Sequence, residues 1–141
     1  MKIAIASDHA GFALKEKVKK YLANNKVQAK DFGTFSEESV DYPDYAKLAS
    51  KSILSKRTDK AILICGTGQG MAMTANKFKG IRAVACESIY CAKMSRAHND
   101  SNVLCLGARI TSPQKALSIV KVWLAAKFEG GRHLRRVRKI R

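Results

Sequence analysis

Short apolar runs alternate with segments of helical periodicity along the whole chain. Apolar residues recur at spacings of three and four in 12–25, 44–56, 88–99 and 115–128, as expected for helices with one buried face. Five runs of strand length lie between or before them, at 2–7, 27–32, 60–65, 81–86 and 102–106. Strands that alternate with helices in this way are typical of a parallel sheet covered by helices on both faces.

Turn and cap residues divide these elements. The polar segment 33–43, which ends in Pro43, is predicted to be a loop. Ser112-Pro113 is a helix start, and Gly130-Gly131 is a break before a short, helical, basic tail. With no repeat or low-complexity segment, residues 1–141 are predicted to form a single-domain Rossmann-like three-layer αβα sandwich, with a five-stranded parallel sheet and a C-terminal basic helix in 130–141.

The composition supports a folded domain without a membrane segment. The chain is 46% hydrophobic, so it can bury a core, and no apolar run approaches the ~20 residues of a membrane span. The first apolar stretch reaches Asp8 too soon for a signal peptide, and we therefore expect a cytoplasmic protein without disulfides. Cys86, Cys91 and Cys105 lie in apolar segments and are predicted to be small buried side chains.

The formal net charge of +16 indicates an anionic partner without identifying it. A nucleic acid is one candidate, but no aromatic residue interrupts the basic tail to stack on bases. A phosphorylated small molecule is the other. Arg132 and Arg136 stand one helical turn apart, so both could bind one phosphate.

Polar residues mark the ends of several predicted elements. Asp8-His9 follows the first strand, Cys65-Gly66-Thr67 follows the third, and Asn99-Asp100 follows the fourth helix. Ligands of open α/β sheets bind outside the carboxyl ends of the strands. We therefore expect these three groups to converge.

The glycine-rich segment after the third strand does not fit the common nucleotide motifs. Its spacing is GxGxG, which is neither a dinucleotide fingerprint nor a Walker A loop. Its backbone N–H groups could bind an anion or favour the thiolate of Cys65, which precedes them. From spacing alone, Cys65 could be a structural thiol, a nucleophile, a base or the centre of a redox sensor.

The chain resembles the type B ribose-5-phosphate isomerases, a family that includes allose- and galactose-6-phosphate isomerases. The resemblance rests on six blocks in the same order: SDHAGF at 7–12, DYPDYA at 41–46, ILICGTGQGM at 62–71, ANKFKGIRAV at 75–84, HNDSNVLCLGAR at 98–109 and FEGGRHLRRV at 128–137.

The resemblance implies a role for each matching residue. Cys65 would be the base that removes the C2 proton, without a metal or other cofactor. Asp8 would relay protons between the two sugar oxygens, and Thr67 and His98 would assist ring opening. The remaining residues would bind substrate: Gly66, Gly68 and Gly70 the enediolate, Tyr42 and Asn99 the sugar hydroxyls, and His9, Arg109, Arg132 and Arg136 the phosphate.

The resemblance also implies a homodimer or homotetramer with composite active sites, in which His98, Asn99 and the tail arginines come from a second subunit. The expected activity is the interconversion of D-ribose 5-phosphate and D-ribulose 5-phosphate. Allose-6-phosphate isomerisation is the alternative within the family. A nucleic-acid-binding module that uses the basic tail is a less favoured alternative, because it leaves the polar residues around Cys65 unexplained.

Overall fold

The computed structural model describes residues 1–140, and it contains the predicted alternation of strands and helices. The strands are β1 (Lys2–Ser7), β2 (Gln28–Asp31), β3 (Lys60–Cys65), β4 (Ala83–Ala85) and β5 (Val103–Gly107). The helices are α1 (Phe12–Asn24), α2 (Tyr42–Leu54), α3 (Gln69–Ala75), α4 (Ile89–Ala97), α5 (Pro113–Ala125) and α6 (Gly131–Val137). Within residues 1–140, no helix is long and apolar enough to cross a membrane.

All strand pairs are parallel, in the order β2-β1-β3-β5-β4, which confirms the predicted α/β class. The chain moves from β1 to β2 on one side of the sheet, and β3, β5 and β4 lie on the other side of β1. The order therefore reverses between β1 and β3, where open α/β sheets bind their ligands. Asp8 follows β1 and Cys65 ends β3, so both lie beside this reversal.

The two faces of the sheet carry alternate residues of each strand. On one face, Ile62 and Ile64 of β3 belong to a buried cluster with residues of α1, α4 and α5, including Trp123. On the other face, Leu63 and Cys65 pack with residues of α2 and α3. This alternation follows from the period of two along a strand, and it makes a three-layer core.

Three local predictions from the sequence are corrected. Pro43 lies in the first turn of α2 rather than in the preceding loop, because a proline is tolerated where no helical N–H bond is needed. β4 covers only Ala83–Ala85 of the predicted run 81–86. Cys91 is exposed rather than buried, since it lies on the outer side of α4, whereas Cys86 and Cys105 are buried as predicted.

A buried ion pair connects α1 to the loop after β2. The Lys15 side chain is fully buried, and its Nζ lies 2.7 and 2.9 Å from the carboxylate oxygens of Asp31. The ammonium also donates to the Thr34 carbonyl at 2.5 Å. Burial of Asp31 by itself raises its pKa, but hydrogen bonds from Lys15 and Lys19 outweigh that effect and hold the pKa below 3.8. The pair thus fixes the loop that leads toward α2.

We predict that Lys15→Met destabilises the fold by about 3 kcal/mol, because it leaves the Asp31 carboxylate without its buried partner. Urea unfolding at neutral pH measures this, with Lys20→Met, an exposed change on the same helix, as the control. Because the pKa of Asp31 is lowered on folding, its contribution is present above pH 3.8 and is lost as the pH falls through the lower folded value. Equal unfolding midpoints for the two variants would contradict this assignment.

Candidate active site

Cys65 meets the glycine-rich segment at the carboxyl end of β3. Its Sγ accepts a hydrogen bond from the Gly68 backbone N–H at 3.1 Å, and the thiol is buried. Gly68 has φ +81°, and a Cβ there would lie 3.1 Å from the Leu106 backbone. Glycine is thus required for the turn that aims this N–H at the sulfur. The turn thus fixes a backbone donor against the sulfur at the carboxyl end of β3.

Two predicted binding residues lie against the same segment. A Cβ on Gly70 would come within 2.5 Å of the Tyr42 ring, so the first residue of α2 packs directly on this glycine. A Cβ on Gly66 would lie 3.3 Å from the guanidinium of Arg109. The Arg109 backbone N–H donates to the Gly66 carbonyl at 3.0 Å, which ties the segment after β5 to the one after β3. Thr67 lies between these contacts, and its Oγ1 accepts from the Gln69 N–H at 3.4 Å.

Asp8 and His9 come to this edge from β1, the neighbouring strand. Asp8 is buried, and its Oδ1 accepts from the Gly11 N–H at 3.0 Å. His9 accepts the Val40 N–H on Nδ1 at 3.2 Å, so the neutral ring carries its proton on Nε2. A carboxylate, an imidazole donor and a thiol are therefore placed by adjacent strands.

His98 and Asn99 lie at the opposite edge of the sheet. They follow α4, which returns the chain to the amino end of β5, whereas Cys65 pairs with Gly107 at the carboxyl end of β5. The four residue steps of that strand span about 13 Å. The expected convergence of Asn99-Asp100 with Asp8 and Cys65 is therefore wrong within one chain, because a residue that precedes a strand cannot lie at its far end.

The C-terminal tail lies close to His98, and His98, Asn99 and the tail residues form a second group of polar side chains. His133 of α6 stacks on His98 with ring centroids 4.1 Å apart and an interplanar angle of 6°. Arg132 and Arg136 lie on the same short helix and are exposed. Burial lowers the pKa of His133 below its usual 6.5, and the neighbouring His98 and Arg132 lower it further. Arg141, the last tail residue, lies outside the described residues.

The turn between Asn99 and β5 is held by charged and polar contacts. Asp100 binds Arg82 and Arg96, each at 2.8 Å, and the Arg96 Nη1 also donates to the Ser101 carbonyl at 2.6 Å. Trp123 of α5 donates to the Ser101 Oγ at 2.8 Å. This network fixes the backbone of the turn that follows His98 and Asn99.

A cavity of about 490 Å³ opens near the second group, between the end of α3 and β4. Asn99, Arg82 and Ile140 are among its lining residues, but Asp8 and Cys65 are not. Its volume would suffice for a small ligand. The chemistry favours the carboxyl ends of β1 and β3, because the Cys65 thiol, Asp8 and the glycine-rich turn lie there.

Known proteins resemble this chain over nearly its whole length. The family model described as Ribose/Galactose Isomerase matches residues 3–140. The chain belongs to this family. It is 48% identical to ribose-5-phosphate isomerase B of Escherichia coli strain K12, over 99% of this chain and 93% of that protein.

Solved structures of the family share the fold closely. A ribose 5-phosphate isomerase from Thermotoga maritima is 54% identical, with a TM-score of 0.97 over 99% of this chain and 96% of that chain. Ribose-5-phosphate isomerase B from Mycoplasma genitalium, solved with bound ribulose-5-phosphate, is 41% identical, with a TM-score of 0.94 over 99% and 93% of the two chains. The recognition of the type B family from its sequence blocks is confirmed.

Sequence reasoning missed two residues of the second group, Glu129 and His133. Glu129 Oε2 lies 3.7 Å from the Nε2 of His98 and 3.7 Å from the Nε2 of His133. The two missed residues stand four apart in sequence, but Glu129 precedes α6 while His133 lies within it, so no helical spacing indicated that they are close together. Only the stacking of α6 on His98 brings the three together.

The cysteines should differ sharply in reactivity. Burial raises the pKa of Cys86 to about 11 and that of Cys105 well above its usual 9.0, so both stay protonated at pH 8. We predict that iodoacetamide labels exposed Cys91 in the native protein and reaches Cys86 and Cys105 only after unfolding. Mass spectrometry of peptides from native and urea-treated samples measures this. Native labelling of Cys105 as fast as that of Cys91 would contradict the burial described above.

Proposed function

We propose that this chain interconverts ribose 5-phosphate and ribulose 5-phosphate through an enediolate, with Cys65 as the base. The observation that carries the proposal is the thiol at the end of β3, within 3.1 Å of a backbone N–H and on the strand that pairs with β1, which Asp8 follows. Aldose–ketose isomerisation needs a base, a proton relay and an oxyanion site. The carboxyl edge of this sheet offers all three. The likeness to ribose-5-phosphate isomerases supports the same reaction.

Each step has a candidate group. The Cys65 thiolate takes the proton from C2 of the open-chain aldose and returns it to C1 of the enediolate. Asp8 transfers the hydroxyl proton between O1 and O2. The N–H groups of the segment Gly66–Gly70 stabilise the enediolate oxygens, since they are fixed before the charge develops. No metal is needed for this step.

Cationic and polar groups bind the rest of the substrate. His9 presents an Nε2–H, and Arg109 lies against Gly66, so both are suited to a phosphate oxygen at the Cys65 edge. Arg132 and Arg136 of α6 complete the phosphate site. Tyr42, packed on Gly70, and Asn99 hold sugar hydroxyls. The net charge of +16 favours the encounter with an anionic substrate.

The site is composite. Cys65 and His98 occupy opposite edges of one sheet, about 13 Å apart along β5 alone, which is beyond the reach of an imidazole. In a twofold dimer, the carboxyl ends of the strands of one chain face the amino ends of the strands of the other chain. The pairing forms two equivalent sites. His98, Asn99, Arg132 and Arg136 then act on a substrate held by the other chain's Cys65. Thr67 and the incoming His98 assist opening of the sugar ring.

Exposed apolar side chains accompany both halves of the site. Tyr42 and Ile110 are 40% and 47% exposed beside the Cys65 group, and Leu134 of α6 is 37% exposed between the two tail arginines. Apolar residues in these positions favour a protein–protein contact over water. They support pairing of two chains at the site itself.

Replacement of Cys65 by alanine tests the proposed base. We predict that Cys65→Ala abolishes conversion of ribose 5-phosphate and the wash-in of solvent deuterium, because it removes the proposed base. Proton NMR in deuterium oxide measures both. Cys91→Ala, at the exposed cysteine, is the control and should keep wild-type activity, as should the wild type after exhaustive chelation. Deuterium exchange by Cys65→Ala at the wild-type rate would show that the base is another group.

A further inference from the structure

His98, Glu129 and His133 form a compact group that the reaction scheme above uses only in part. The Glu129 backbone N–H donates to the Ala97 carbonyl at 2.9 Å, which places Glu129 beside the residue that precedes His98. Its Oε2 lies 3.7 Å from the Nε2 atoms of both histidines. The His133 side chain is nearly buried, while that of His98 is partly exposed. One carboxylate and one ring thus hold two sides of the His98 imidazole.

Two glycines make this arrangement possible. Gly130 and Gly131 have φ +66° and +53°, a left-handed conformation that side chains rarely adopt. The chain therefore turns sharply after Glu129 and starts α6 at once. This turn places His133 on the same side as Glu129 and face to face with His98.

A divalent cation is the alternative occupant of this group, since the three ligand atoms lie within 4.8 Å of one another. Two features weigh against it. The histidine rings are parallel within 6°, so the lone pairs of their Nε2 atoms do not converge on one point. Arg132 and Arg136 of the same helix add positive charge where a cation would bind.

We propose that Glu129 and His133 are positioning residues for His98, and that they hold its imidazole in the orientation and tautomer that open the sugar ring. The Glu129 carboxylate lies 3.7 Å from Nε2, too far for a hydrogen bond, but its negative charge favours a proton on that nitrogen and so one tautomer. The stacked His133 ring fixes the plane of His98. The inference rests on the role of His98 in ring opening given above.

The two sugar phosphates separate ring opening from proton transfer. Ribose 5-phosphate closes a ring through O4, so it must be opened before C2 can react. Ribulose 5-phosphate stays open, because the O5 that would close its ring carries the phosphate. Solvent deuterium incorporation at C1 of ribulose 5-phosphate therefore reports proton transfer alone, while ribose 5-phosphate conversion also requires opening.

Both rates should be measured for Glu129→Gln, His133→Ala and His133→Phe, with Glu16→Gln, an exposed carboxylate on α1, as the control. For Glu129→Gln and His133→Ala we expect ribose 5-phosphate conversion to fall about tenfold, a fraction of the effect of a full acid–base group. Deuterium exchange into ribulose 5-phosphate should stay within about twofold of wild type, which also shows that the variants fold. His133→Phe keeps a flat ring on His98 and should recover part of the loss.

His98→Ala, measured in the same way, separates the possible failures. If His98→Ala slows only ribose 5-phosphate conversion while Glu129→Gln and His133→Ala slow neither rate, the positioning role is wrong and the proposed function stands. If His98→Ala slows both rates equally, His98 does not act in ring opening, and the inference falls with that part of the proposed function. Stoichiometric Zn²⁺ binding to the wild type that Glu129→Gln abolishes, measured by calorimetry, would make the group a metal site and overturn the positioning role.

Discussion

The parallel direction of all five strands determines where chemistry can occur in this protein. In such a sheet, residues that follow a strand gather at one edge, and residues that follow a helix gather at the other. Asp8, Cys65 and Arg109 belong to the first edge, and His98 and Asn99 to the second. Because the fold itself keeps these groups apart, a reaction that uses all of them must use two chains. The composite site that we propose thus follows from the strand topology as much as from the sequence.

The sequence predicted the fold well where burial decides it. β1 and β3 have the predicted bounds, since apolar runs buried on both faces have few alternatives. The prediction from sequence failed where the spacing of apolar residues is ambiguous. Cys91, for example, lies on the outer side of α4 despite its apolar neighbours. Residue identity alone does not show which side of a short helix faces the core.

The first half of the candidate site could be predicted because its parts are local. Cys65 and its N–H donor at Gly68 lie three residues apart, and Asp8 enters from the adjacent strand. The second half could not be predicted in the same way. Glu129 and His133 become part of it only when a left-handed Gly-Gly turn places α6 on His98. The sequence shows two successive glycines, but it does not show that both have positive φ or in which direction they turn the chain.

The central claim is that one catalytic site needs Cys65 from one chain and His98 from another. Cys65→Ala and His98→Ala, each inactive alone, should be unfolded together in equal amounts and refolded, and the isomerase activity measured. Random twofold pairing makes about half of the dimers mixed, each with one intact site, so roughly a quarter of the wild-type activity should return. No recovery at any mixing ratio would contradict the account, because it would mean that each site is complete within a single chain.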